Sequence, residues 1–441
     1  GDFGETVHDA NFVADGLVWP DRSPHPGIFE FKKLAQPLAV DACSVREGRF
    51  VVRSKQDFTN LDWLIGTWKL EVEGVQVDAG ILPRLDIPPG GDLPLRITYT
   101  RPEALDAAEA YVTFSFVAQA ATPWCDAGHE VAWEQFRVNH LRVDPRARPI
   151  SPAPVTTTTP VTTTDTASLT VADDTRLALA VDGAQIISRG PEPNLFRATT
   201  DNDGIRGWKG QESKPMGEWL AAGLHELRCL DRTHEAGEGD VLLVERSSWA
   251  GTDPKAVIEF GQRIVQVAPD AFRFDITLDV PQSLPSLPRV GVILETVPGF
   301  EKVRWFGRGP QENHIDRKAG YRVGRYEGGV SDQYVPYIMP QENGSKCEVR
   351  WFELEDGTWR MRFAADPLFE FSVHHFTPVD LFGCRHTNEV QDILRPETVV
   401  SIDLVQRGVG TGSCGPQTLQ PFCVAPGRYD FGFLLQVTRL E

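Results

Sequence analysis

Short runs in which apolar and polar side chains alternate recur along most of the chain. Residues 40–45, 49–54, 68–73, 95–100 and 111–117 each carry such a run, with turn residues between them. Period-two alternation lets a strand bury one face and wet the other, so these runs predict one antiparallel sandwich of roughly 100 residues. A second series follows at 257–260, 263–267, 272–280, 290–297, 359–363 and 399–404. It predicts a larger β-sandwich of many strands in two broad sheets. Helical periodicity is nearly absent. Residues 216–223 give the best short helix, and residues 1–30, dense in Gly, Pro, Asp and aromatics, read as loops around another. Between the two series, Pro and Thr dominate residues 146–166 and no period survives. This stretch predicts an extended linker. The expected division is an N-terminal piece (1–37), an immunoglobulin-like β-sandwich (38–148), a linker (149–166) and a large sandwich (167–441).

Length agrees with more than one core, since 441 residues exceed what a single interior usually serves. The charge narrows function. With 44 basic and 62 acidic residues the net charge is −18, and an acidic chain is repelled by phosphate backbones. A nucleic-acid partner is not expected. No run of 18 apolar residues occurs, so no membrane span is expected either. Seven scattered Cys, an odd number with no CxxC pair, argue against a disulfide framework and a structural zinc site. Reduced thiols and a cytoplasmic location are the simplest expectation. Eleven Trp and 24 Phe mostly suit sandwich cores, though such rings also build sugar-stacking surfaces. The chain opens on Gly1 in the middle of a motif, which suggests a processed or truncated piece.

Four constellations carry candidate chemistry. The string Pro-Gln-Glu-Asn occurs twice, placing Glu312 and Glu342 thirty positions apart. Two carboxylates could serve as acid and nucleophile in a glycosidase, but both follow Pro in turn-like contexts that favour structural hydrogen bonds. Asp201, Asn202, Asp203 and Gly204 form a second cluster, open to hard-cation ligation or, more simply, to Asx turns. Residues 407–416 form a glycine-rich loop after a strand. No helix is expected after it, so a phosphate cradle is disfavoured, and its glycines are expected to let backbone approach a ligand or another chain. Cys414 lies in that loop with no evident activating base. His374 and His375, adjacent on a strand, would point to opposite faces and make no metal site.

Together these strings resemble glycoside hydrolase family 2 β-galactosidases of the large cytosolic type. Residues 1–26, with Asp9, Phe12, Asp21, Arg22 and His25, resemble the end of that family's TIM barrel. Residues 194–203 resemble the opening of its last domain, a galactose mutarotase-like β-supersandwich. The most specific strings are Trp305 to Asn313 with Asp316 and Arg317, and Pro336 to Gly344 with Arg350 and Trp351. Residues 408–416 resemble a variant of the last active-site loop. The resemblance implies a mainly β chain: a barrel remnant, the fourth-domain sandwich, and the small-chain-type supersandwich. It implies part of a retaining hydrolase of terminal β-D-galactosides such as lactose, active as a homo-oligomer with its N-terminal and barrel parts.

By the same resemblance both catalytic glutamates lie upstream of Gly1, neither Glu312 nor Glu342 is catalytic, and this chain alone is inactive. Three positions are still implied at the active site. Phe12, through its carbonyl, and Asp15 match ligands of an active-site Na+, Asp15 standing where the family often has Asn. Cys414 stands where other members place a Trp that stacks on the aglycone sugar. Gly204 belongs to the start of a mobile active-site loop. Mg2+ of the intact enzyme would be held by ligands outside this chain. Val7 and His8 replace a usual Pro-Asn, Ala10 replaces an Arg of some members, and the stretch around 167–190 is shorter than usual. The alternative is a non-catalytic module: a complementing small subunit or a carbohydrate-binding sandwich.

Overall fold

A computed structural model describes residues 5–8, 16–99, 108–138, 167–171 and 176–440. Phe12, Asp15 and the expected linker 149–166 lie outside these. Two compact units emerge. One comprises His25–Asp144 with Ala319–Arg325; the other comprises Gly1–Pro24, Pro145–Lys318 and Tyr326–Glu441.

The smaller unit opens with helix α1 (Gly27–Leu34) and continues as strands β1 (Leu38–Ser44), β2 (Arg49–Ser54), β3 (Leu64–Val72), β4 (Val75–Ile81), β5 (Asp92–Arg96), β6 (Ala110–Ala118) and β7 (Glu130–Arg137). They form a three-stranded sheet, β1-β2-β5, and a four-stranded sheet, β4-β3-β6-β7. Alternation does what the sequence predicts. In β3, Leu64, Trp68 and Leu70 are buried while Ile65 faces out. Phe50 of one sheet meets Phe114 of the other edge-to-face at 4.8 Å, so the aromatic positions join the two layers. The segment Ala319–Arg325 belongs here because Glu30 of α1 accepts the Ala319 and Gly320 amides (3.1 and 2.6 Å) and Tyr321 donates to the Pro26 carbonyl.

The larger unit begins with β8 (Ala167–Val171), β9 (Leu177–Val181) and β10 (Ala184–Asn194). Helix α2 (Pro215–Ala222) follows, then β11 (Arg228–Ala236), β12 (Val241–Ala250), β13 (Ile258–Ala268), β14 (Ala271–Asp279), β15 (Arg289–Thr296), β16 (Lys302–Gly309), β17 (Arg322–Gly329, assigned to this unit from Tyr326 on), β18 (Lys346–Glu355), β19 (Trp359–His374), helix α3 (Pro378–Gly383), β20 (Val399–Gln406) and β21 (Arg428–Arg439). Among the described residues these make a sheet of 14 strands, whose main path runs β11-β12-β13-β14-β21-β19-β20-β15-β10-β9-β8. The register explains its aromatic core. Phe274 and Phe433 are cross-strand partners and stack at 4.7 Å. Phe352 is sandwiched between Phe363 at 4.5 Å and Phe371 at 4.3 Å.

Three expectations about strand limits are corrected. The runs at 257–260 and 263–267 are one strand, because Gly261 and Gln262 keep pairing with both neighbours. The strand expected at 95–100 is Asp92–Arg96, ending before Ile97. The run at 359–363 starts a 16-residue strand that pairs first with β21 and then with β20.

Candidate functional site

The larger unit gathers the 197–214 and 407–418 segments around a buried guanidinium. Arg197, just beyond β10, has no solvent exposure. It grips Asp203 with two bonds, Nη2 to Oδ1 at 2.7 Å and Nε to Oδ2 at 3.1 Å, and donates to the carbonyls of Arg407 (2.5 Å) and Gly408 (3.2 Å). Asp203 also accepts the Thr200 amide and hydroxyl, at 2.9 and 3.1 Å. Its carboxylate is thus committed to a turn and an ion pair, which is the Asx-type reading of this cluster. Among the described residues no group of three His, Cys, Asp or Glu is placed to hold a metal ion.

Asn202 joins the two segments. Its Nδ2 donates to the Gly410 carbonyl at 2.9 Å, and its Oδ1 accepts the Ser413 amide (3.1 Å) and hydroxyl (2.7 Å). Lys214 donates to the Gly412 carbonyl at 2.9 Å. From the other side, the Asp316 carboxylate accepts the amides of Val409 (3.0 Å) and Gly410 (2.8 Å). The glycines serve these contacts. A Cβ on Gly408 would stand 2.5 Å from Asp316 Oδ2, and one on Gly412 would stand 2.5 Å from the Asn202 carbonyl oxygen. These glycines admit close packing against the chain's own segments. Cys414, next to the anchored Ser413, is exposed at the loop tip. Gly204 packs on α2, where a Cβ would lie 2.9 Å from Met216 Cβ. The structure therefore brings the stretch ending at Gly204 against the loop carrying Cys414.

The two candidate glutamates are scaffold. Glu312 is 2% exposed; it takes Arg317 Nη2 at 2.5 Å, the Gly344 amide at 2.9 Å and the Tyr337 hydroxyl. Burial pushes its carboxyl up, but Arg317, His314, Tyr337 and the Gly344 amide outweigh that and hold it at about 2. Trp19 packs edge-on against Tyr337 at 5.6 Å, which ties the stretch just after Asp15 to this network. Glu342 is held by Arg289 at 2.5 Å and by Gln406 at 3.3 Å. The histidines part as expected. His374 is buried, stacks on Phe376 and lies 3.0 Å from the Asn343 carbonyl; His375 reaches Glu397 and Glu301.

Sequence reasoning missed Arg197, Asp316 and Lys214. Nothing marks Arg197 as buried, because arginine is read as a surface residue until a fold encloses it. Asp316 had a signal only as part of the string around Arg317.

Comparison with known proteins now places the chain. A family model described as "Beta galactosidase small chain" matches residues 166–435, and this chain belongs to that family. Residues 50–139 match "Beta-galactosidase, domain 4", and residues 1–40 match the TIM barrel domain of glycosyl hydrolases family 2. A β-galactosidase of Aeromonas hydrophila subsp. hydrophila is 29% identical over 99% of this chain and 42% of its own length. One from Priestia megaterium is 28% identical over 93% and 39%. One from an Arthrobacter species is 29% identical over 97% and 43%. The chain thus spans about two-fifths of the length of these curated relatives. Among the described residues no helix is long and apolar enough to cross a membrane.

Proposed function

We propose that this chain forms the C-terminal wall of the active site of a retaining β-galactosidase that hydrolyses terminal β-D-galactosides such as lactose. The observation that carries the reading is the Asn202 bridge, within a chain that aligns over 99% of its length with a β-galactosidase. It fixes the loop with Cys414 at its exposed tip against the segment that carries Gly204, and so builds one rim from two segments. In this reading the general acid and the nucleophile belong to a part of the barrel outside these 441 residues, and Glu312 and Glu342, buried in ion pairs, cannot approach a sugar.

In this reading the Cys414 loop faces the leaving-group sugar, and the thiol offers no ring for it to stack on. A sodium ion held by the Phe12 carbonyl and Asp15 would bind near the galactose hydroxyls, and Mg2+ would be held by residues outside the chain. Homo-oligomer contacts and a cytoplasmic location belong to the same proposal. The test is Cys414→Trp in the intact enzyme. A stacked ring adds about 0.5–1.5 kcal/mol, so KM for lactose is expected to fall about two- to tenfold. KM for a galactoside without a sugar leaving group stays unchanged. Equal change for both, or none, contradicts a place beside the aglycone.

A further inference from the structure

Beneath the candidate site lies a group of charges that the proposed hydrolysis does not use. Glu370 of β19 and Asp403 of β20 are direct cross-strand partners, 5% and 1% exposed. Side chains opposed in this way sit about 5 Å apart, and like charges there repel. Gly291 of β15 makes the room: a Cβ on it would stand 2.2 Å from Asp403 Oδ1. Arg289, also on β15 and wholly buried, reaches Glu342 at 2.5 Å and Asp403 at 3.3 Å. Gln406 of β20 donates its amide to Glu370 at 3.4 Å and its carboxamide to Glu342 at 3.3 Å. Lys318 is the further cation felt by Glu370, and the buried Cys347 thiol of β18, pushed up by burial and therefore neutral, completes the surroundings. Three carboxylates thus face one contacting guanidinium. Cys347 and Gln406 act as hydrogen-bonding neighbours of Glu370 and Asp403, but among the described residues the outer oxygens, Glu370 Oε2 and Asp403 Oδ1, find no partner. Two neighbouring buried carboxyls with unused oxygens are the arrangement that retains a proton.

We propose that Glu370 and Asp403 hold one proton between them at neutral pH, and that its loss on the alkaline side opens a latch on the site-bearing segment. The latch is the Arg289–Glu342 pair. While the proton is present, Asp403 and Glu370 carry one charge and Arg289 stays with Glu342. When the proton leaves to solvent, the carboxyl pair gains a second charge and draws Arg289 from Glu342. The 340–344 loop then loses its tether. That loop clamps the site segment: the Glu342 amide donates to the Ala198 carbonyl at 2.8 Å, Gln341 Oε1 accepts the Asp201 amide at 3.2 Å, and Arg206 donates to the Pro340 carbonyl.

The direction of the titration agrees. Burial pushes Asp403 up to about 8 against the pull of Arg289, and burial pushes Glu370 up to about 7. A raised acid favours the folded, latched form fully below its ordinary value, and that advantage is lost as pH rises through the raised value.

Backbone hydrogen exchange of the Asp201 and Glu342 amides tests this, read from about pH 6 to about pH 9 after the chemical pH dependence is divided out. Protection is expected to fall, by up to about tenfold per pH unit, as pH rises towards the raised values and to level off above them, while the Phe274 amide in the core stays unchanged. Asp403→Asn should abolish that fall, and Glu370→Gln gives the same readout where Asp403→Asn does not fold. Without any variant, the infrared carbonyl band of a protonated carboxyl should be present near neutral pH and gone near pH 9. Absence of the band, or an unchanged pH dependence in a folded variant, overturns the proposal. Neither result bears on β-galactoside hydrolysis, so the two readings fail separately.

Discussion

Buried charge is the main currency of this site at the level of single residues. Arg197 has no exposed surface, and its partners are an equally buried carboxylate and two loop carbonyls. Removing one member of such a pair leaves the other uncompensated, which costs about 3–5 kcal/mol. Arg197→Met is expected to lose that much in equilibrium denaturation, and a loss under about 1 kcal/mol would show that the pair is not sealed from water. Acid stability follows from the same burial. Burial holds His314 and His374 down at about 4. A depressed histidine stays neutral when folded while its unfolded form takes a proton, so stability falls as pH drops from the ordinary 6.5 towards 4. Glu312, held at about 2, extends the loss below its ordinary 4.5. Thermal melting across this range should show the decline, and His374→Asn should flatten its upper part. A profile flat from neutrality to about pH 4 would contradict the burial of both rings.

At the scale of elements, the site depends on glycines that let segments touch. Gly204 sits where a Cβ would press on Met216. Gly204→Ala is expected to cost about 1–3 kcal/mol, and adding Met216→Ala should recover part of that. Absence of any coupling in this double-mutant cycle would contradict the contact. The elements were legible where one physical rule acted alone. β2 spans the residues its alternation marks, and α2 lies within a residue of its expected limits because Pro215 starts it and Gly223, with φ +72°, ends it. β13 was read as two strands because glycine at 261 breaks the apolar pattern, whereas the ladder on both sides carries the strand through. The glycine-rich loop was visible from composition, but its packing against Asp316 and Asn202 was not, since both partners are distant in sequence. The paired glutamates were read as structural from their turn contexts, and burial in ion pairs agrees.

On the scale of the whole molecule, the ordered matches to the barrel, the fourth domain and the small chain make a single account of 441 residues. The strand-rich fold follows from alternation and was legible in advance. The Asp201–Gly204 cluster and the Cys414 loop were visible as strings, whereas their joining through Arg197, Asn202 and Asp316 rests on tertiary contacts. In the proposed reading, this chain shapes a galactosidase site without supplying its catalytic carboxylates. Hydrolysis of o-nitrophenyl β-galactoside by the purified 441-residue chain tests it most directly. No turnover above the buffer rate is expected. Turnover by the pure chain, lost in Glu312→Gln or Glu342→Gln variants that remain folded, would contradict it.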